Sequence, residues 1–257
     1  MATYLLKKSY QLKDLKEVNF NDLWNSYGVF TTMWIFGHPP KILFFNNHMK
    51  NLIKSLKDYN LTSPSIRKKI NKLIRLNLNK KKKYNHLLRV AINKRLISIS
   101  LRNKIESKQN FKLNLLNYKR IKPEYKNLKY KNILRHLSKI DTSNFDIGLC
   151  VNKKILESAT SNILFVSNNK IYSPINKFYK GITLKFLEKK IGKIIKKNIF
   201  IKSLSSYDEI ILIGSGKGVV SIARIKKLNW RRKSSKIYRF ISKIYHKAVT
   251  NCPRYNG

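Results

Sequence analysis

The chain has 257 residues, 42% of them hydrophobic and 11% aromatic, which suffices for one large domain or two modest ones with real cores and excludes a disordered chain. Its 56 lysines and arginines against 12 acids give a formal net charge of +44, a field that attracts polyanions non-specifically. The basic residues are spread through every segment beside an excess of Asn and Ile, as AT-rich coding would write, so charge alone does not assign a nucleic-acid function.

No apolar run reaches the roughly 18 residues of a membrane helix. Met1-Ala2-Thr3-Tyr4-Leu5-Leu6-Lys7-Lys8 lacks the layout of a signal peptide. Cys150 and Cys252 stand far apart without a second ligand nearby, so they read as core and tail thiols in a reducing cytoplasm, with no metal site.

In chain order, Val29 to Phe36 is rich in β-branched and aromatic residues and ends at Gly37-His38-Pro39-Pro40. With Lys41 to Phe45 it predicts a hairpin. Met49, Leu52, Ile53 and Leu56 then recur at helical spacing, predicting a helix over 47–58. Ser63-Pro64 reads as the start of a second helix with Ile66, Ile70, Leu73 and Ile74 inward, Ser63 serving as its cap. The Lys80–Lys83 run reads as a solvated loop, because no aromatic pattern interleaves it for base stacking.

Strands follow over Leu87–Asn93 and Leu96–Arg102, and a polar stretch then separates two domains: residues 1–112, a connection at 113–120, and residues 121–257. Lys122 to Tyr130 leads into a helix with Ile133, Leu134 and Leu137 inward. Strands at Phe145–Val151 and Ile163–Val166 flank Glu157-Ser158-Ala159-Thr160-Ser161-Asn162, and Asn168-Asn169 turns the chain into Lys170–Pro174.

Gly181-Ile182-Thr183 opens a helix with Ile182, Phe186, Leu187, Ile191, Ile194 and Ile195 inward. A strand around Phe200 precedes the buried strand Asp208–Ile213, which ends in Gly214-Ser215-Gly216-Lys217-Gly218. A last helix over about 235–246 uses Ile237, Phe240, Ile241 and Ile244. Strand pairs with separate helices indicate an α+β chain.

The chemistry concentrates in the second half. Glu157 and the small hydroxyl and amide side chains after it form a compact polar wall that could hold a flat heteroaromatic ring. Gly214–Gly218 and Gly181-Ile182-Thr183 are turns whose backbone N–H groups can converge on an anion, although neither is a P-loop.

Glu157-x-x-x-x-Asn162 with Ile163-Leu164-Phe165-Val166, then Ser173-Pro174, Gly181-Ile182-Thr183, Asp208-Glu209 and Gly214-Ser215-Gly216 resembles the class IV aminotransferases over about 120–225. Gly28-Val29-Phe30-Thr31-Thr32 and Phe44-Phe45-Asn46-Asn47-His48-Met49 match more loosely. The resemblance implies a two-domain α+β fold of type IV, with pyridoxal 5'-phosphate between a smaller N-terminal and a larger C-terminal domain, usually as a homodimer.

It also implies roles. Lys126 best fits the Schiff-base lysine, with Lys129 and Lys122 as competitors. Such an amine is partly desolvated so that its neutral form is accessible. Glu157 would pair with the pyridine nitrogen and Tyr130 with the ring's phenolic oxygen, while Ile182, Thr183 and Ser215 would hold the phosphate. Tyr130 reads equally well as a core aromatic. Three positions depart from the pattern: Asn51 and Leu184 stand where the family has arginine, and Tyr27 where it has aspartate.

Phe30-Thr31-Thr32 resembles the 4-amino-4-deoxychorismate lyases, since the position of Thr31 is usually acidic in the aminotransferases. The expected reaction is therefore release of 4-aminobenzoate and pyruvate for folate synthesis, with Lys126 moving the proton, Thr32 catalytic, and Arg89 or Arg120 meeting a dicarboxylate substrate. A branched-chain or D-amino-acid aminotransferase is the alternative. A non-catalytic basic nucleic-acid-binding protein on a decayed enzyme fold is the third reading.

Overall fold

The computed structural model describes residues 3–256. The chain divides into two compact units, one formed by residues up to Lys104 with Tyr125–Lys131 and the tail from Cys252, the other by Ile105–Glu124 and Asn132–Asn251. No helix among the described residues is long and apolar enough to cross a membrane.

The first unit runs β1 (Tyr4–Gln11), β2 (Glu17–Val18), β3 (Gly28–Gly37), β4 (Lys41–Ile42), α1 (Phe45–Asp58), α2 (Ile66–Asn77), β5 (Tyr84–Asn93) and β6 (Leu96–Asn103). Its sheet has the order β2-β1-β6-β5-β3-β4 with antiparallel neighbours. Successive side chains of a strand leave opposite faces. Val29, Met33 and Ile35 accordingly join Met49, Leu52, Leu56, Ile70 and Leu73 in the core under the helices. Phe30 packs instead with Leu23, Ala91 and Leu128. Gly28 has no alternative, because a Cβ there would lie 2.2 Å from the Ile92 carbonyl oxygen.

The second unit runs β7 (Lys112–Asn117), α3 (Lys131–Leu137), β8 (Phe145–Val151), β9 (Lys154–Ser158), β10 (Asn162–Ser167), β11 (Lys170–Ser173), α4 (Ile182–Ile191), β12 (Ile195–Lys196) and β13 (Ile199–Phe200). It continues with β14 (Glu209–Gly214), β15 (Gly218–Ser221), β16 (Arg224–Ile225), β17 (Trp230–Arg231) and α5 (Lys236–Thr250). Its sheets are ordered β12-β11-β10-β14-β15 and β13-β9-β8-β7-β16-β17.

The unbroken apolar runs of β10 and β14 have a direct cause. Ile163, Phe165, Ile210 and Leu212 face a core with Phe111, Leu113 and Ile155, while Leu164, Val166, Ile211 and Ile213 face one with Leu184, Leu187 and Ile241. Both faces of these strands are covered, so the alternation of a half-wet strand is lost.

Several expectations change. β1 was not expected. The second arm of the hairpin is only β4, because the helix already starts at Phe45. Ser63 does not cap α2: its carbonyl accepts the Ile66 N–H, and its hydroxyl is buried without a partner. Residues 113–120, expected as a connection, hold most of β7, which pairs in parallel with β8.

Glu157 lies within a strand, β9, because Asn152 and Lys153 at φ 49° and 59° turn the chain tightly after β8. Helix α4 ends at Ile191, so Ile194 and Ile195 lie beyond it. Phe240 is 49% exposed; α5 buries Ile241 and Tyr245 and continues to Thr250.

Candidate active site

In the second unit the acidic stretch is anchored from beneath. Glu157 is buried and receives two hydrogen bonds from Arg120, Nε to Oε1 at 2.7 Å and Nη2 to Oε2 at 3.0 Å. The same Nη2 donates to the Pro123 carbonyl at 2.7 Å, and the Tyr179 N–H donates to Glu157 Oε2 at 3.4 Å. A guanidinium fork matches a carboxylate in this way and fixes its plane.

The residues after Glu157 hang on buried Asp146. Its Oδ2 accepts from Ser158 Oγ at 3.0 Å and Thr160 Oγ1 at 2.6 Å, and its Oδ1 from the Ile147 N–H at 2.8 Å. Ser158 Oγ also accepts from the Ser161 N–H at 2.9 Å, which closes the turn.

Asn162 ties this turn to the entrance of α4. Its Oδ1 accepts from the Gly181 N–H at 3.0 Å and its Nδ2 donates to the Tyr179 carbonyl at 2.6 Å. A Cβ at Gly181 would sit 2.8 Å from that Oδ1. The positive end of α4 carries no acidic residue in its first turn. There the Thr183 hydroxyl is buried with no hydrogen-bond partner, an arrangement that costs free energy unless a ligand supplies an acceptor. The turn that carries Ser215 comes against Ser161, next to Asn162, since a Cβ at Gly214 would lie 3.0 Å from Ser161 Oγ. The structure thus brings Glu157, Ile182 and Thr183 into one region beside the turn that carries Ser215.

In the first unit, Lys126 lies beside β3. Its carbonyl accepts the Phe30 N–H at 2.8 Å, and its Nζ stands 5.2 Å from the Phe30 ring centroid. The Tyr130 ring meets Phe30 and Trp24, both at 5.8 Å, so it belongs to an aromatic cluster on the same side as Lys126. Lys129, the competitor, donates to the Asn25 carbonyl at 2.7 Å, and Lys122 is exposed.

Thr31 and Thr32 part company. Thr31 faces α1, where its Oγ1 lies 2.8 Å from His48 Nδ1. Burial, and then the nearby Lys126 charge, push the His48 pKa down to about 3. Thr31 therefore does not share the Phe30 face. Thr32 does, in register with Arg89.

Arg89 is one of two arginines on that face, Arg102 being the other, opposite Leu87. The Arg89 guanidinium lies 3.6 Å from the Trp24 ring centroid, and Nη2 donates to the Asp22 carbonyl at 2.7 Å. Nε is buried without a partner. Burial leads the causes that lower its pKa to about 10. Arg120, the other candidate for a substrate carboxylate, is committed to Glu157. Sequence reasoning did not find that commitment, nor Asp146 and His48. Of the departing positions, Leu184 is buried in the core and Tyr27 is exposed against Tyr59.

The model of the class IV amino-transferase family matches residues 28–225. A search of curated proteins gave no match. The fold is similar to a branched-chain aminotransferase from Thermoproteus uzoniensis solved with norvaline, with TM-score 0.73, 17% identity and 93% of each chain covered. It is also similar to a hypothetical aminotransferase from Mycobacterium tuberculosis in its PLP-bound form, with TM-score 0.69, 12% identity and coverage of 95% of this chain and 99% of that one. A putative branched-chain amino acid aminotransferase from Thermotoga maritima matches with TM-score 0.71 at 17% identity over 95% and 96% of the chains.

Proposed function

The chain belongs to the class IV aminotransferase family, and on that premise we propose that it moves the amino group of a carboxylate-bearing amino acid to a 2-oxo acid. It is a pyridoxal-phosphate enzyme. The residues fit that cofactor on one observation above all: the buried, unpartnered Thr183 hydroxyl at the positive end of α4 is a donor suited to a phosphate oxygen.

Ile182 and Ser215 would complete the phosphate seat with backbone N–H groups and a hydroxyl. Glu157, gripped by Arg120, would accept from the pyridine N–H, and Tyr130 would donate to the ring's phenolic oxygen. When bound, the cofactor supplies an electron sink for the amine-bearing carbon of the substrate. Lys126 would be the residue that holds the cofactor through its amine, and the same amine would serve as the acid–base that moves the proton at that carbon.

The observation that carries the substrate class is Arg89. Its Nε is buried, unpartnered and on the face shared by Phe30 and Thr32, which suits a substrate carboxylate. The fold likeness to branched-chain aminotransferases favours transamination over elimination. The test is glutamate-dependent transfer to branched-chain 2-oxo acids, with Arg89→Leu expected to raise KM about tenfold or more while leaving the bound cofactor in place. No transfer to any 2-oxo acid by protein that holds its cofactor sinks the reading.

A second reading rests on Thr31 and Thr32. A neutral residue at 31, tied to His48, and a hydroxyl at 32 beside Arg89 suit departure of pyruvate from 4-amino-4-deoxychorismate. Release of 4-aminobenzoate and pyruvate from that single substrate selects the lyase. The homodimer is part of this proposal, and sedimentation equilibrium tests it.

A further inference from the structure

A cleft of about 620 Å³ opens in the first unit where the end of β1, the β5–β6 turn and the α1–α2 connection meet. Lys13, Lys69, Lys94 and Arg95 line it, and no carboxylate does. The neighbouring acids are occupied: Asp14 Oδ1 accepts the Lys16 N–H at 3.0 Å, and Glu17 pairs with Lys8 at 2.9 Å. None of Thr32, Arg89, Lys126 or Tyr130 lines the cleft.

Two donors in it are placed rather than merely present. Lys69 Nζ is held by the Leu12 and Lys13 carbonyls at 2.6 and 2.9 Å, which leaves one of its three protons for a ligand. Ser63 lines the cleft at the entrance to α2, and its hydroxyl is buried without a partner. Helix α2 has no acid in its first turn and no side-chain cap, so its positive end is uncompensated. Leu12, Leu61 and Leu96 supply an apolar floor.

We propose that this cleft is a second ligand site, for a small phosphate monoester with an apolar body. A dianionic head with three acceptor oxygens matches Ser63, Lys69 and the flanking Arg95 or Lys13, and the body would cover the leucines. The volume lies within the usual range for small-molecule sites.

Calorimetric titration of the cofactor-saturated full chain at about 0.15 M salt tests this. The probes are phenyl phosphate, inorganic phosphate and benzoate, with the cofactor absorbance followed in parallel. Phenyl phosphate should bind one per chain, more tightly than either other probe and with the cofactor absorbance unchanged. Ser63→Ala should weaken it about five- to tenfold. The pair Lys13→Glu/Arg95→Glu should abolish it, and the control pair Lys81→Glu/Lys82→Glu should leave it within about twofold. Equal weakening by both charge-reversed pairs assigns the binding to diffuse charge and overturns the site. So does an absence of saturable binding, a displaced cofactor, or benzoate binding as tightly as phenyl phosphate.

Discussion

Arg120 holds Glu157 at two points, 2.7 and 3.0 Å, with side chains 5% and 7% exposed. A carboxylate this far from water keeps its charge through such a partner. Removing the partner strands the charge. Arg120→Leu is expected to destabilise the chain by about 3–5 kcal/mol, read by urea unfolding. Arg120→Lys keeps the charge but loses the fork, and should fall between the variant and wild type. If Arg120→Leu unfolds at the wild-type midpoint, the pair does not hold Glu157 in place.

Lys126 stands apart from its competitors by its seat beside Phe30, whereas Lys129 is tied to the Asn25 carbonyl. Borohydride reduction of the cofactor-loaded protein, followed by peptide mass mapping, should place the label on Lys126. Lys126→Ala should lose the label, and Lys129→Ala and Lys122→Ala should keep it. A label on either of those two moves the assignment.

Thr183 makes opposite demands with and without ligand. Its buried hydroxyl lacks a partner, so Thr183→Val should leave the cofactor-free protein as stable as wild type or up to about 2 kcal/mol more so. The same change should weaken pyridoxal phosphate about tenfold or more, because a hydrogen bond to a charged oxygen is lost. Denaturation without cofactor and a cofactor titration check the two halves. A variant that is destabilised without cofactor and binds it normally contradicts both.

His48 sets an acid limit. It is neutral in the fold, with its pKa lowered to about 3, whereas the unfolded chain takes up the proton near 6.5. The unfolded state therefore binds more protons between those values, and stability falls as pH drops from about 6.5 towards 3, by up to about 1.4 kcal/mol per unit. Above about 6.5 this contribution is flat. In His48→Gln the part of the slope between pH 7 and 5 that belongs to His48 should vanish, as paired urea melts would show.

Much of the fold was legible because periodicity reports burial. α1, α2, β5, β6, β10 and β14 each carry their pattern in plain view. β1 was not legible, since Tyr4–Gln11 mixes lysines with apolar residues and is held as a strand by its partners β6 and β2. β9 was hidden by its turn, where Lys153 takes a left-handed conformation that its residue type does not advertise.

For the site, the acid, the lysine and the anion turns could be read as a pattern. Which arginine serves which carboxylate could not: Arg120 and Glu157 are 37 positions apart, in a chain with 56 basic residues. The side of the sheet on which Thr31 lies was equally hidden, because alternation says that neighbours differ but not which one meets helix α1.

Asn162 closes a loop. Its one amide grips both the Tyr179 carbonyl and the Gly181 N–H, so the chain leaves and re-enters the same spot across β10, β11 and their turn. The Asn168–Asn169 hairpin tip stands outside that clasp, with both residues already in the left-handed conformation of a tight turn. The clasp makes that tip the natural place to splice in a tag or open new termini, since the length of the excursion is uncoupled from the alignment of its two ends.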